Sequence, residues 1–277
     1  MATIAEELRR WTDKLERLDI SWLLQHVLDV NAAFLAAHPD YLLTAEQTQA
    51  FHELMTKRAA GVPVAYLTGK QGFYDLIFEV TSDVLIPRPE TELLIETVLA
   101  MIPVNHPCNI LDLGTGSGAI AITIARHRPH VHVFALDISI NALLLARRNA
   151  GRLSVSNIDF VAGNWYAALG AIRFDGIVAN PPYIASADPH LQQGDLRFEP
   201  MLALVAKHDG LSCLRKIISQ APQFLHQGGW LLFEHGYDQA AACRQLLTAA
   251  GFTELIRQSD FAQIDRVSGG YCQSIFR

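Results

Sequence analysis

The chain has 277 residues, of which 50% are apolar and 18% are charged, and its formal net charge is −6 at pH 7. This composition is typical of a folded globular protein and excludes an intrinsically disordered chain. The acidic balance weighs against a protein that grips duplex DNA chiefly through its phosphates, because such proteins are usually basic.

The amino-terminal segment, residues 1–62, is predicted to form a small helical domain. Its first eleven residues include Glu and Arg and lack the apolar core of a signal peptide, and no run in the chain reaches the length of a membrane-spanning helix. Apolar residues recur at helical spacing, as at Phe51 and Leu54, after Thr44, a candidate N-cap with Gln47 three residues later. We therefore expect a cytoplasmic protein, without a membrane span, that begins with packed helices.

The chain changes character at Gly61-Val62-Pro63. Over residues 63–84 polar side chains alternate with β-prone apolar ones, and Gly69 and Gly72 can form turns. This segment is predicted to be a β-hairpin linker to the second domain, which is predicted to cover residues 85–277.

The second domain opens with the stretch Ile86-Pro87-Arg88-Pro89-Glu90-Thr91-Glu92. Its prolines favour an extended approach, since they fix φ and cannot donate a backbone hydrogen bond. Pro89 can then begin a helix with Glu90 and Glu92 in the first turn, where acidic side chains suit the helix dipole. The apolar pattern continues this helix to about Met101.

From Cys108 onward, strands alternate with helices, which is the pattern of a parallel, doubly wound sheet. Strands are predicted over residues 110–113, 131–136, 158–162, 174–179, 230–234, 252–256 and 271–276. Helices are predicted over residues 119–126, 140–150, 211–225 and 239–250. A long polar insert is predicted over residues 185–208.

A glycine-rich loop follows the first of these strands. It consists of Gly114, Thr115, Gly116, Ser117 and Gly118. Ligands of such sheets bind at the carboxyl ends of the strands, and glycine lets the backbone approach a ligand closely. Asp137, at the end of the next strand, can accept hydrogen bonds from both ribose hydroxyls. The loop also satisfies the nicotinamide-type pattern, so the loop alone does not select the cofactor.

Two further residues bear on the cofactor. Asp112 precedes the loop, and a carboxylate there would repel a pyrophosphate but attract an α-ammonium or a sulfonium. Trp165, after the third strand, can lie against an adenine ring, although a role in the core fits it equally well. Together with the loop pattern, Asp112 favours S-adenosyl-L-methionine over NAD.

The segment Asn180-Pro181-Pro182-Tyr183 ends the strand predicted over residues 174–179. It offers the side-chain carbonyl of Asn180, the proline carbonyls and a flat aromatic face, with no competing proline N–H. This set of groups suits a planar NH₂ group, which is found in the amide of Gln or Asn and in the exocyclic amine of adenine. A plain strand-ending turn is the alternative interpretation.

No metal site and no disulfide is predicted. The four cysteines, Cys108, Cys213, Cys243 and Cys272, are scattered without metal or redox spacing, which is typical of reduced thiols. Three histidines at positions 127, 130 and 132 flank Pro129 in a helix-to-strand connection, on the far edge of the predicted sheet from the glycine loop.

Over nearly its whole length the chain resembles the HemK/PrmC-type release factor glutamine N5-methyltransferases. The resemblance rests on residues 67–69 with Phe73, residues 86–92, 112–121, 180–184, 198–200, 229–236 and 265–267. The segment 180–183 alone is shared with adenine-N6 DNA methyltransferases, whereas residues 86–92 together with the helical domain are far more specific.

The resemblance implies a class I S-adenosylmethionine-dependent methyltransferase fold, with a Rossmann-like doubly wound sheet and an antiparallel last strand, behind a substrate-docking helical domain. It implies that the cofactor is held by Gly114 to Gly118, Asp137, Trp165 and Asn180. It also implies that Asn180, Pro181, Pro182 and Tyr183 hold the substrate, which is the glutamine of the Gly-Gly-Gln motif in class-1 peptide chain release factors. Among these four, Asn180, Pro181 and Tyr183 are the expected catalytic residues.

An in-line methyl transfer without a dedicated strong base is expected. The carbonyls of Asn180 and Pro181 would hold the NH₂ protons, and Glu90, Glu92 and Glu199 are candidate proton acceptors for which structural roles are the alternative. The rival function is an adenine-N6 or guanine-N2 nucleic-acid methyltransferase, which predicts a basic groove and a target-recognition segment. Neither is apparent in this acidic chain, so no direct nucleic-acid substrate is expected.

Overall fold

The computed structural model describes residues 2–273 and divides the chain into two compact units. One unit joins the residues up to Lys70 with Gln192–Phe198, and the other comprises Gln71–Leu191 together with the residues from Glu199 onward. No described helix is long and apolar enough to cross a membrane.

The first unit is helical, as predicted. Its helices are α1 (Ile4–Trp11), α2 (Arg17–Leu28), α3 (Ala32–Ala37), α4 (Ala45–Ala59) and α5 (Val64–Thr68). The predicted cap of α4 is confirmed: the Thr44 hydroxyl accepts a hydrogen bond from the Gln47 N–H at 3.2 Å, and the Gln47 side chain accepts one from the Thr44 N–H at 2.9 Å. Apolar side chains from the helices, such as Leu23 and Phe51, form a buried core of their own.

The segment predicted as a hairpin is only partly β-structured. Residues 64–68 are helical instead of extended, because Pro63 presets the backbone before α5 and Gly69 ends this helix with a φ of +68°. The hairpin strands are β1 (Lys70–Phe73) and β2 (Leu76–Glu79), which pair in a two-stranded sheet.

The remaining helices and strands belong to the second unit. The helices are α6 (Glu92–Met101), α7 (Ala119–His127), α8 (Ile140–Arg152), α9 (Met201–Leu204), α10 (Ser212–Phe224) and α11 (Ala240–Ala249). The strands are β3 (Cys108–Leu113), β4 (Val131–Asp137), β5 (Ile158–Ala162), β6 (Phe174–Ala179), β7 (Ile184–Ala185), β8 (Val205–Ala206), β9 (Leu225–Glu234), β10 (Phe252–Ser259) and β11 (Asp265–Cys272). A 3₁₀ turn, Pro89–Thr91, leads into α6, as the prolines and glutamates of this stretch predicted.

Seven of these strands form one sheet in the order β10-β11-β9-β6-β3-β4-β5. Strands β9, β6, β3, β4 and β5 run parallel, whereas β11 is antiparallel to both β9 and β10. The doubly wound sheet and its antiparallel last strand are therefore confirmed. The chain moves from β3 outward to β5 and then returns to the other side of β3 with β6, which creates a topological switch point between β3 and β6.

Both faces of the sheet are covered by helices. Successive side chains of a strand point to opposite faces, so Ile110 packs in the core that contains α6 and α7, and Leu111 packs in the core that contains α10 and α11. Near-continuous apolar runs such as β6 are explained by this double burial.

The last strand differs most from its prediction. It spans Asp265–Cys272, while residues 274–276 of the predicted strand lie outside the described residues. Its charged start and its two glycines resemble a loop in sequence. In the sheet, however, a Cβ atom on Gly269 would lie only 2.0 Å from the Leu231 carbonyl oxygen, so a side chain cannot be accommodated there.

Candidate active site

A cavity of about 460 Å³ opens in the second unit, and its wall contains the residues that follow β3, β4, β5 and β6. Parallel strands bring their carboxyl ends to one edge of a sheet, and this edge includes the switch point. The predicted site residues in the wall are Gly114, Thr115, Gly116, Ser117, Asp137, Trp165, Asn180 and Pro182. Gly118, Pro181 and Tyr183 are not part of the described wall.

The glycine loop is held in a conformation that only glycine adopts easily. Gly114, Gly116 and Gly118 have φ angles of +80°, +56° and +85°. The Gly114 and Thr115 N–H groups donate to the Leu136 carbonyl at 2.8 and 2.9 Å. A Cβ atom on Gly118 would lie 2.7 Å from the Ile122 side chain, so Gly118 shapes the loop and its packing.

Asp137 ties the loop to the end of the neighbouring strand. One oxygen of its carboxylate accepts from the Gly116 N–H and the other accepts from the Ser139 N–H, both at 2.8 Å. Burial raises the pKa of this carboxyl above its ordinary value, even though these two bonds favour the ionised form. Each oxygen keeps further acceptor capacity, so Asp137 can serve both the loop and a ligand with hydroxyl groups.

Asp112 lies beneath the loop and is fully buried. Neither of its carboxylate oxygens makes a hydrogen bond of good geometry with a described residue, although the Thr115 side chain and the Ala121 backbone lie near enough to favour the ionised form. Burial outweighs them and, with the charge of Asp137, raises the pKa of Asp112 to about 7. The sequence placed this carboxylate next to the cofactor, but it is not part of the described cavity wall. An ionised carboxylate at this position would act on a ligand at the loop only through its field, which disfavours an anionic pyrophosphate and favours a cation.

Trp165 has an unusual backbone for a bulky residue, with φ at +54°. It opens the short 3₁₀ turn after β5, is half-buried, and places its ring 3.9 Å from the position of a Cβ atom on Gly114. The ring is therefore a wall of the cavity as well as an edge of the core.

The amide of Asn180 is fixed by two polar groups that the sequence did not reveal as site residues. Its Nδ2 group donates to the Thr91 hydroxyl and to the Glu234 carboxylate, both at 3.0 Å. Both amide protons are thereby used, and no donor among the described residues reaches the carbonyl oxygen Oδ1, which is therefore a free acceptor. Thr91 and Glu234 lie in stretches on which the family resemblance rests. Taken singly, however, the sequence pattern predicts only that Thr91 is near the start of a helix and that Glu234 is at the end of a strand.

Tyr183 is held away from the cavity wall. Its hydroxyl donates to Glu234 at 3.1 Å, and its backbone carbonyl accepts from the Gln239 side chain at 3.0 Å. Tyr183 is half-buried, and burial together with the Glu234 charge raises the pKa of its hydroxyl. Pro181 is buried beside it, and no described donor reaches its carbonyl oxygen.

Two of the three candidate proton acceptors have structural partners. Glu199 is buried and forms a close ion pair with Arg88, with N–O distances of 2.8 and 2.7 Å. Glu92 accepts from the Tyr74 N–H at 2.8 Å. Glu90 is exposed, and its charge contributes to the raised pKa of Glu234.

Comparison with known proteins assigns the chain to a family. Residues 2–69 match the PrmC N-terminal domain and residues 89–195 match the methyltransferase small domain. The chain is 50% identical to the release factor glutamine methyltransferase of Burkholderia pseudomallei, over 97% of this chain and 96% of that protein. It belongs to the release factor glutamine methyltransferase family. The enzyme of that name from Escherichia coli strain K12 is 44% identical, over 92% of this chain and 91% of that protein.

Membership of the release factor glutamine methyltransferase family confirms the resemblance that the motifs indicated, and solved structures agree on the fold. A methyltransferase from Pyrococcus furiosus has a TM-score of 0.53 at 15% identity and covers 83% of this chain and 100% of its own. The hMettl16 catalytic domain, solved in complex with an RNA hairpin, has a TM-score of 0.56 at 16% identity. The match covers 81% of this chain and 84% of that domain's chain. At these identities the likeness concerns the fold alone.

Proposed function

We propose that this protein methylates the side-chain amide nitrogen (N5) of the glutamine in the Gly-Gly-Gln motif of class-1 peptide chain release factors. The observation that carries the proposal is the fixed amide of Asn180, which presents an acceptor oxygen at the switch point of the sheet. Membership of the release factor glutamine methyltransferase family supports the same substrate.

S-adenosyl-L-methionine is the proposed methyl donor, and the cavity fits it in two respects. Asp137 and the glycine loop offer hydroxyl acceptors and closely approachable backbone, while the unpaired Asp112 carboxylate beneath the loop favours a cation. The residues proposed to hold it are Gly114 to Gly118, Asp137, Trp165 and Asn180. When bound, it supplies an electrophilic methyl group attached to a sulfonium.

Asp137→Ala is expected to weaken cofactor binding by about 10- to 100-fold, since hydrogen bonds to a charged group contribute roughly 1.5–3 kcal/mol each. The substitution removes the proposed ribose contact and also the anchors of Gly116 and Ser139. Calorimetric titration with S-adenosylmethionine measures the change. Asp159→Asn, at an exposed carboxylate on β5, is the control and should bind like the unsubstituted protein. Equal affinities for Asp137→Ala and this control would contradict the assignment.

In the proposed mechanism, the protein acts by holding and aligning an amide. An amide nitrogen is a weak nucleophile because its lone pair is shared with the carbonyl. Asn180 Oδ1 and the Pro181 carbonyl accept hydrogen bonds from the two N–H groups, which aims the nitrogen and raises its electron density. As the nitrogen gains the methyl group, one of these N–H bonds breaks and its proton is released. Alignment of this kind can lower a barrier by roughly 7–11 kcal/mol in favourable cases.

The nucleic-acid alternative calls for a basic groove beside the site. Arg88 is the one Lys or Arg in the described cavity wall, and its charge is paired with Glu199. A phosphate backbone would therefore find little electrostatic attraction there. The discriminating test is incorporation of labelled methyl groups into a release factor and, in parallel, into adenine-containing DNA. Faster incorporation into DNA would overturn the proposal.

The helical unit is proposed to dock the release factor. Its match to the PrmC N-terminal domain supports this role. The second unit is proposed to bind the cofactor and the target glutamine, because it contains every residue of the described cavity wall.

A further inference from the structure

Glu234 is a buried carboxylate at the carboxyl end of β9, the strand beside β6. Three donors converge on it. Its Oε2 atom accepts from the Thr91 hydroxyl at 2.6 Å and from the Asn180 amide at 3.0 Å, and its Oε1 atom accepts from the Tyr183 hydroxyl at 3.1 Å. The carboxylate therefore joins the 3₁₀ turn before α6 to both ends of the segment 180–183.

These bonds decide which way the Asn180 amide faces. If the amide rotated by half a turn, Oδ1 would face the Glu234 carboxylate, and two acceptors would meet without a proton between them. The Nδ2 protons would lose both of their acceptors, so this orientation is disfavoured. Only the observed orientation leaves an acceptor, and not a donor, facing away from Glu234.

We propose that Glu234, together with Thr91, is the positioning residue that fixes the Asn180 amide with its oxygen toward the substrate and so makes the site selective for an NH₂ group. This inference rests on the proposed function. Glu234 lies outside the segment 180–183, and it determines that Asn180 presents an acceptor and not a donor to the substrate.

Two other roles for Glu234 make different predictions. As a proton acceptor in the reaction, it would need a carboxylate oxygen directed at the substrate, but both of its oxygens are directed at Thr91, Asn180 and Tyr183. As a purely structural group, it would contribute to stability and cofactor binding as much as to turnover. Burial raises its pKa, while the hydroxyls of Thr91 and Tyr183 oppose that shift by favouring the ionised, acceptor-only form.

The experiment compares Glu234→Gln with Glu234→Met in the full-length protein. Gln can turn its own carbonyl toward Asn180 and Thr91 and offer its NH₂ group to the Tyr183 oxygen, so it should keep most of the turnover. Met has a similar volume but no strong acceptor, so Asn180 is released, and kcat should fall by about 100-fold. Glu96→Met, on the exposed face of α6, is the matched control and should resemble the unsubstituted protein.

Thr91 provides a second test in case Glu234→Met folds poorly. Thr91→Val keeps the shape but removes one acceptor of the Asn180 amide, and kcat should fall by about tenfold, the equivalent of one ordinary hydrogen bond. Thr91→Ser keeps the hydroxyl and should restore turnover. In each variant kcat and KM for the release factor, the Kd for S-adenosylmethionine, and the melting temperature are measured.

The expected pattern is a loss in kcat for Glu234→Met and Thr91→Val and recovery in Glu234→Gln and Thr91→Ser. The cofactor Kd should change much less than kcat, because Asn180 is only one of the residues proposed to hold the cofactor. A loss in Glu234→Gln as deep as in Glu234→Met would overturn the inference in favour of an essential charge. Parallel losses of cofactor affinity and turnover in Thr91→Val would overturn it in favour of a structural role. Absence of release factor methylation by the unsubstituted protein would instead refute the proposed function.

Discussion

Asn180→Ala is expected to lower the rate of methyl transfer to the release factor by at least about 100-fold, because it removes an acceptor that aligns the amide nitrogen. Cofactor affinity should change much less, since the glycine loop and Asp137 remain intact. Thr91 and Glu234 lose a shared donor but keep their bond to each other. Single-turnover kinetics with saturating S-adenosylmethionine separates the two effects.

Asn105→Ala is the matched control for this substitution. Asn105 is exposed and precedes β3, at the amino end of the strands and away from the site. The control should transfer methyl groups at the normal rate. If Asn180→Ala does so too, Asn180 does not align the substrate.

Asp112→Asn is expected to stabilise the protein at alkaline pH. The carboxyl has a pKa of about 7 in the folded protein against an ordinary value of 3.8. Above pH 7 the folded state buries an unpaired charge that the unfolded chain exposes to water, so the free energy of unfolding of the unsubstituted protein falls as the pH rises between these two values. The substitution should remove that loss, which is on the order of a few kcal/mol.

Denaturant unfolding at about pH 5.5 and about pH 8 measures the effect. The stability advantage of Asp112→Asn over the unsubstituted protein should grow from the lower pH to the higher. Glu96→Gln, at an exposed carboxylate on α6, should show no such trend. An advantage that shrinks toward alkaline pH would contradict the account of Asp112.

The same substitution should weaken the binding of cationic S-adenosylmethionine. The field of an ionised Asp112 favours the ligand, so binding to the unsubstituted protein should release a proton near neutral pH and weaken below pH 7, by up to about tenfold per pH unit. In Asp112→Asn the affinity should be lower and nearly independent of pH over that range. Calorimetry in buffers of different ionisation enthalpy counts the protons released.

The fold was predictable where local signals and burial agree. The strands over residues 158–162 and 174–179 begin and end where they were predicted, because strong apolar runs are bounded by loop residues. Strand β11 was misplaced, since its glycines and charged residues resemble a loop and only its close pairing with β9 gives them a role. Helix α5 was missed because its five residues include β-prone side chains and are set by the flanking Pro63 and Gly69.

The residues of the candidate site that lie at the ends of strands could be located from the sequence. The glycine loop and Asn180 each follow a strand and Asp137 ends one, so the fold class alone brings them to one edge. The partners of Asn180 come from segments 89 and 54 residues away, and sequence patterns do not report which side chains meet across such distances. Asp112 was recognised as a carboxylate beside the loop, but its place beneath the loop follows only from the packing of β3.

The most direct test of the account is to locate the transferred methyl group by mass spectrometry. The protein is incubated with isotopically labelled S-adenosylmethionine and a class-1 release factor, or with the same factor carrying Gln→Ala in its Gly-Gly-Gln motif. We expect one labelled methyl group on the side-chain nitrogen of that glutamine in the unsubstituted factor and no incorporation into the Gln→Ala form. Undiminished incorporation into the Gln→Ala form, or a label on any other residue in place of that glutamine, would contradict the account.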